Sequence, residues 1–306
     1  MTWIIGIDGG ATSTKAVVAD SEGRVVARAE GACISPYLLP GAQIEANLRA
    51  ICRELLAAAG VTPSDIRGVC LGVSGCEREE DRACLAQISE RVLPGVRAEV
   101  VNDAVIALVG GCGGMEGVIV ISGTGSIALG RTADGHMARA GGYGHLLGDE
   151  GSGYEIARQG LIAVLRADDG RGEATRLTPL VLKRLEIAGP QGIKPWTKVV
   201  GGEKAAIAAL APLVFEAAAA DDSVCNRILD EAAEELALAA EAVMGRLWKA
   251  PCCLRVSVAG SVILSQDVLF ERFMSAMKHR CPHGEVMRPL SDPVNGACTY
   301  LLHLLH

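Results

Sequence analysis

"IIGIDGGATSTKAVVADSEGRVVARAEG", residues 4–31, decides how the chain must be read. Ile4, Ile5 and Ile7 make a nearly continuous apolar run, as in a strand buried on both faces. A bend of glycine, threonine and serine follows, and then a second apolar run, "KAVVAD". "SEG" supplies another turn, and "RVVARAE" alternates polar and apolar residues as a half-buried strand does. Three successive strands therefore open the chain, and the first bend carries a carboxylate, Asp8, beside Gly9 and Gly10. Glycines let a backbone approach a ligand closely. Thr12, Ser13 and Thr14 offer hydroxyls, Lys15 adds positive charge, and the exposed N–H groups of such a bend cradle anions. Asp8 has the wrong sign beside a phosphate unless a cation lies between them. Magnesium meets that need, binding carboxylates and phosphate oxygens while usually keeping its waters. The stretch reads as a phosphate hairpin with a metal-facing carboxylate; the alternative is an ordinary tight hairpin with Asp8 as a turn former.

Outward from this hairpin, residues 42–59 read as a helix, with Ile44, Leu48, Ile51 and Leu55 on one face and Gly60 ending it. "IRGVCLGVSG" is a buried strand, Glu77 to about Arg91 a charged helix, and "RAEVVND" a strand ending in Asn102-Asp103. The design then recurs: "GVIVISGTGSIALGRTADGHMARAGG" again gives a buried strand, a small-residue bend, a second strand, a turn and a third strand. Helices are expected over 152–166, 203–249 and 266–279, with Val224, Ile228, Leu236, Val243 and Leu247 on one face of the long stretch. "CLRVSVAGSVI" and "EVMRP" read as strands and Asn295–Leu305 as a closing helix. Two copies of one α/β layout suggest duplication. The seam falls in the glycine cluster at 110–117. The expected domains are 1–114, with a C-terminal helix at about 291–306 packing back on it, and 115–306.

Composition bounds the function. The 306 residues exceed what one core usually fills, half are apolar and only 3% aromatic, so Ala, Val, Leu and Ile must build the cores. The net charge of −7 and the lack of a basic tail argue against nucleic acid as a partner. No apolar run approaches the roughly 20 residues of a membrane helix. The opening residues carry no leader pattern, so a soluble cytoplasmic protein is expected. The 11 cysteines include no C-x-x-C pair and sit mostly inside apolar runs, as reduced thiols acting as small hydrophobes do. Cys252 and Cys253 read as the start of a strand rather than as joint metal ligands.

The second bend, "ISGTGS" at 121–126, places Gly123, Thr124, Gly125 and Ser126 where the first copy has its phosphate hairpin. Two such bends facing each other across a cleft would clamp a polyphosphate. "AGS" at 259–261 ends a strand with Gly260 and Ser261, a place for close approach of a base or ribose. Asp103, at the C-terminal end of a parallel strand, stands where α/β sheets place their ligands and could accept a proton from a hydroxyl; the bland reading is a helix N-cap. In "GGYGHLLGDEGSG", Tyr143, His145, Asp149 and Glu150 suit a sugar, with hydrogen bonds for hydroxyls and a flat ring face; equally, Ser152 and Glu155 fit a helix capping box.

Together, "IGIDGGATSTK", "VVND", "ISGTGS" and "VAGS" resemble the phosphate-1, connect-1, phosphate-2 and adenosine motifs of the actin/hexokinase/Hsp70 ATPase superfamily, and Gly296-Ala297 resembles its connect-2 helix. "GGYGHLLGDEGSGYEIA" is similar to N-acetylglucosamine kinases within the BadF/BadG/BcrA/BcrD ATPase group. The resemblance implies two RNase H-like domains, each a mixed five-stranded sheet with helices, around a central ATP cleft. It implies an ATP-dependent kinase of an amino sugar, N-acetylglucosamine or glucosamine, with Asp103 as general base and Asp8 facing Mg2+ through water. The ATP set would be Asp8, Gly9, Gly10, Thr12, Ser13, Lys15, Gly123–Ser126, Gly260 and Ser261. The sugar set would be Ser35, Ser74, Asn102, Gly142, Tyr143, Gly144, His145, Asp149 and Glu150. A small-molecule sugar is the expected partner and a homodimer the expected assembly.

The chain departs from the family pattern at Ala11, where relatives usually have a third glycine, and at Ser35-Pro36-Tyr37, where they usually have an Asn for the sugar. A shorter hydroxyl in place of an amide changes which sugar groups the pocket satisfies. A different class of function, an ATPase that activates a redox enzyme, would show a cluster-ligating cysteine near "LLGDEGSGY"; that stretch has carboxylates instead.

Overall fold

Why Ile4, Ile5 and Ile7 are all apolar becomes plain in the computed structural model, which describes residues 2–10, 12–200, 203–249 and 253–305. Ala11 and Cys252, which bear on two of the sequence readings, lie outside the described residues. In chain order the elements begin β1 (Trp3–Gly9), β2 (Ser13–Ala19), β3 (Val25–Ala32), α1 (Gly41–Ala59), β4 (Ile66–Val73), α2 (Glu79–Val92), β5 (Arg97–Asn102) and α3 (Asp103–Cys112). They continue with β6 (Gly117–Ser122), β7 (Ser126–Arg131), β8 (Met137–Gly141), α4 (Gly153–Asp168), α5 (Leu177–Leu185), α6 (Ile193–Val199), α7 (Lys204–Ala208), α8 (Ala211–Ala219) and α9 (Ser223–Leu247). The last are β9 (Leu254–Ala259), α10 (Ser261–Ser265), α11 (Asp267–Arg280), β10 (Gly284–Met287) and α12 (Pro293–Leu305).

The first sheet is mixed, in the order β3-β2-β1-β4-β5. β1 pairs antiparallel with β2, and β2 with β3, whereas β1–β4 and β4–β5 are parallel. Successive residues of a strand point to opposite faces. Ile5, Ile7, Ala16, Val18, Val69 and Leu71 accordingly join Ile44, Leu48, Ile51 and Leu55 of α1 in one core. Ile4, Val17, Ala19 and Cys70 join Ile106 of α3 and Val294, Ala297, Cys298 and Leu301 of α12 in the other. Both faces of β1 are covered, so every position along it can be apolar.

The second sheet runs β10-β9-β6-β7-β8. β9 and β10 are parallel, and the three-residue link between β6 and β7 makes that pair a hairpin. α4 buries Ile156, Leu161 and Val164, and α9 buries Val224, Ile228, Leu236 and Val243. The helical stretch expected over 203–249 is three helices. Pro212 stands in the first turn of α8, and Asp222 caps α9 by accepting the Cys225 N–H at 2.8 Å. α5 and α6 are further helices that the sequence pattern does not announce.

The chain folds as two compact units. One comprises the described parts of Met1–Ile119, Arg131–His136 and Arg288–His306; the other comprises those of Val120–Gly130 and Met137–Met287. The glycines at 110 and 111, read as part of the seam, are the last turn of α3. Their smallness serves packing, since a Cβ on Gly110 would stand 2.8 Å from the Asp292 carbonyl oxygen. Among the described residues no helix is long and apolar enough to cross a membrane, and none of the ten described cysteines is disulfide-bonded.

Candidate active site

In the first unit, register brings the candidate groups together. Gly9 pairs with Val73, and Val73 with Asn102, so the carboxyl ends of β1, β4 and β5 finish side by side. The Ser74 N–H donates to the Gly9 carbonyl at 2.9 Å. Asp8, Ser74 and Asp103 thus share one edge, the edge where parallel strands place ligands.

The capping role goes to Asn102, whose side-chain oxygen accepts the Ala104 N–H at 3.0 Å. Asp103 is the first residue of α3 and accepts the same N–H at 2.9 Å, as well as the Ser74 hydroxyl. Burial pushes the Asp103 pKa up; the Ala104 and Ser74 hydrogen bonds oppose this, and the Glu77 charge adds to it. Asp8 is pushed up to about 6, first by burial and then by the Asp103 charge, with Asp292 adding and Lys15 opposing. Lys15 lies directly across the β1–β2 ladder from Asp8.

The charges of Asp103 and Asp292 both disfavour an ionised Asp8, a repulsion that a cation beside Asp8 would relieve. Among the described residues no three His, Cys, Asp or Glu side chains converge as direct metal ligands. The donor set therefore fits a hydrated cation shared with an anionic ligand better than a closed protein cage.

Thr12, Ser13 and Lys15 are exposed. Thr14 is different: it is buried and its hydroxyl donates to the Ala32 carbonyl at 2.8 Å, so the register of β2 on β3 spends it internally. Ser35 is buried as well and donates to the Ser74 carbonyl at 2.7 Å, while Tyr37 is exposed.

In the second unit, the β6–β7 hairpin and the loop before α4 are laced into one structure. Within the bend, the Gly123 N–H donates to the Gly125 carbonyl at 2.9 Å. The Ser122 hydroxyl donates to the Gly151 carbonyl at 2.7 Å, and the Ser126 hydroxyl to the Glu150 carbonyl at 2.6 Å. The Ser126 N–H donates to Asp149 Oδ1 at 3.2 Å, and the Gly153 N–H to the Gly123 carbonyl at 2.8 Å. Thr124 remains exposed at the tip. Sequence alone presents hairpin and loop as separate binding elements; in the fold each holds the other.

Ser152 caps α4, accepting the Glu155 N–H at 3.2 Å, whereas the Glu155 carboxylate turns to Arg158 and Gln159. Asp149 is buried and pairs through Oδ2 with Lys204 Nζ at 2.6 Å. Nothing in "EKAAIAAL" marks Lys204 as a site residue. Tyr143 is exposed, with the Arg139 guanidinium over its ring at 5.2 Å, and His145 meets Tyr154 edge-on at 5.0 Å. Gly142 and Gly144 hold left-handed turns in this loop, and Glu150 is exposed. Gly260 follows β9 at φ 93°, and a Cβ there would run into the Ser122 carbonyl and stand 2.9 Å from the Gly123 N. Glycine is required at 260 by the chain's own hairpin, next to the exposed Ser261.

Two mixed five-stranded sheets flanked by helices, each with a hydroxyl-bearing hairpin at a strand end, define an α/β fold of the actin/hexokinase type. Residues 5–300 match the BadF/BadG/BcrA/BcrD ATPase family, and the chain belongs to that family. It is 33% identical to the N-acetylmuramic acid/N-acetylglucosamine kinase of Clostridium acetobutylicum, over 97% of each chain. It is 32% identical to the N-acetyl-D-glucosamine kinase of Dictyostelium discoideum, over 98% of this chain and 97% of that one. A solved protein from Chromobacterium violaceum, assigned as a candidate N-acetylglucosamine kinase, superposes with a TM-score of 0.75 at 28% identity, covering 100% of this chain and 99% of that one.

Proposed function

We propose that the protein is an ATP-dependent kinase of amino sugars, N-acetylglucosamine or glucosamine first, transferring the γ-phosphate of ATP to a sugar hydroxyl. The observation that carries the reading is Asp103: a half-buried carboxylate with a raised pKa at the carboxyl end of β5, sharing the capping of α3 with Asn102. The full-length relatives are named as kinases, which favours phosphate transfer to a sugar over activation of a redox enzyme.

In this reading Asp103 accepts the proton of the attacking hydroxyl, with Ser74 holding the carboxylate in place. The remainder of the work is positioning and charge neutralisation. The first unit supplies Asp8, Gly9, Gly10, Thr12, Ser13 and Lys15 toward the nucleotide, and Ser35, Ser74 and Asn102 toward the sugar. The second unit supplies Gly123–Ser126 to the phosphates and Gly260 and Ser261 to the adenosine. Gly142–His145, Asp149 and Glu150 serve the sugar. Asp8 would hold Mg2+ through water, and the ion, when bound, supplies charge neutralisation at the phosphate oxygens. A cytoplasmic location follows from ATP as co-substrate, and a homodimer, read by light scattering, is the proposed assembly.

The test is coupled ATP consumption over N-acetylglucosamine, glucosamine, N-acetylmuramic acid and glucose. Asp103→Asn should keep nucleotide binding and lose about 10²–10⁴ in turnover. Absence of sugar-stimulated ATP consumption across the panel would refute the reading, and near-normal turnover by Asp103→Asn would remove Asp103 from the mechanism.

A further inference from the structure

Lys204 is the charged side chain at the second hairpin for which the motifs give no role. Its ammonium lies 2.6 Å from Asp149 Oδ2, while Asp149 Oδ1 accepts the Ser126 N–H at 3.2 Å. The same ammonium lies 2.6 Å from the point where a Cβ on Gly125 would stand, and Asp149 Oδ1 lies 3.0 Å from that point. Carboxylate and ammonium therefore both sit against the middle of the bend. They are not equivalent, since the Asp149 side chain is 4% exposed and that of Lys204 31%. Asp149 also holds φ at 65°, a left-handed conformation uncommon for a residue with a Cβ.

A buried carboxylate beside the N–H groups of an anion-binding bend works against the bend. It takes up a donor at Ser126 and adds negative charge where phosphate must come. Burial keeps solvent from screening that charge. A buried charge is tolerated when it is paired and hydrogen-bonded, and Lys204 provides the pairing.

We propose that Lys204 is a positioning residue for nucleotide binding: it cancels the Asp149 charge behind the Gly123–Ser126 bend, so that Asp149 can brace the bend without repelling a triphosphate. This rests on the reading of the bend as a phosphate site. Asp149 acts as a strut, holding the Ser126 N–H, and Lys204 makes the strut electrically silent. The open position at Gly125 lets the ammonium stand against the backbone.

The experiment is calorimetric titration of the full chain with a magnesium complex of a non-hydrolysable ATP analogue, without sugar. Lys204→Met should weaken binding about tenfold or more, because it leaves a buried carboxylate unpaired. Lys204→Arg should bind within a few-fold of the parent. The deciding variant is Lys204→Met with Asp149→Asn, in which both charges are gone; its affinity should return to within a few-fold of the parent. Should Lys204→Met fail to fold, the double variant and Lys204→Arg carry the test. Parent-like affinity in a folded Lys204→Met overturns the proposal. So does a double variant that binds as weakly as the single one, because Lys204 would then be acting on phosphate directly. A role in folding alone would lower the unfolding temperature of Lys204→Met and leave its affinity unchanged. If the parent itself binds no nucleotide, the phosphate reading of the bend falls, and this inference with it. If the parent binds and the Lys204 variants all match it, this inference falls alone.

Discussion

Asp8, next to the end of β1, has a carboxyl group pushed up to about 6 by burial and by the charges of Asp103 and Asp292. Its folded pKa lies above the ordinary 3.8, so its contribution to stability is present below about pH 4 and lost as pH rises through about 6. At neutral pH the ligand-free protein holds a charge its surroundings disfavour. Asp8→Asn should therefore raise the unfolding temperature of the ligand-free protein at about pH 7.5, through a gain in unfolding free energy of at most about 3 kcal/mol. The gain should shrink to nothing near pH 4, and affinity for magnesium nucleotide should fall at the same time. Calorimetric melts across that range check it; an unchanged or lower melting temperature at pH 7.5 would show that Asp8 is not destabilised in the fold. Residues such as Asp8 and Asp103 are legible because an apolar run that stops at an acid marks a strand end. The spending of Thr14 on the Ala32 carbonyl and of Ser35 on the Ser74 carbonyl is not legible, because strand register and loop path decide both. Lys204 is hidden for the same reason: it is one lysine in an alanine-rich stretch, and only the tertiary path brings it to Gly125.

At the level of elements, the crossing of α3 and α12 shows what small residues accomplish. A Cβ on Gly296 would run into the Ile106 carbonyl oxygen and stand 2.6 Å from the Gly110 N, so two backbones meet with nothing between them. The approach to α12 is also tied to α3, since the Ser291 N–H and hydroxyl both donate to the Gly110 carbonyl at 3.1 Å. Gly296→Ala offers no flexible neighbour that could yield, and it should cost several kcal/mol, beyond the about 1–3 kcal/mol typical of overpacking a core. Equilibrium urea unfolding checks it: a loss under about 1 kcal/mol, the low end of that range, would mean that the two helices can slide apart without penalty. The sequence pattern locates α12 and offers α3 only as the alternative reading of Asp103, and it places a seam over 110–117, whose first two glycines lie in α3, because glycine clusters usually punctuate chains. The opposite error arises over 203–249. Alanine-rich sequence keeps its helical periodicity across breaks, and a proline in a first turn leaves that periodicity intact, so three helices read as one.

Across the whole molecule, the two sheets carry the same plan. The order β3-β2-β1-β4-β5 becomes β8-β7-β6-β9-β10 in the second, a three-strand meander followed by two further strands each time. That repetition is legible as the recurrence of buried strand, small-residue bend and strand. The helices from α4 to α9 that separate β8 from β9, where α1 and a short 3-10 turn at Pro63–Asp65 separate β3 from β4, are legible only in part. The chain's return is legible as a closing helix, and α12 completes the first unit from the far end of the sequence. Its Val294, Ala297, Cys298 and Leu301 cover the face of Ile4, Val17, Ala19 and Cys70. Burying one large aliphatic side chain is worth about 1.5–3 kcal/mol, and a domain's net stability is about 5–15 kcal/mol. Stripping this whole face should therefore exceed what the first unit can lose. A chain ending after Leu290 should lose amide-exchange protection in β1, β2 and β4. It should keep protection in α4 and α9, whose buried faces draw on the second unit's own residues. Sugar-dependent ATP consumption should disappear with the first-unit protection, because Asp8 near the end of β1 and Asp103 at the start of α3 stand on elements that α12 packs against. Protection of β1 and β4 equal to that of the full chain would show that the first sheet stands without its last helix.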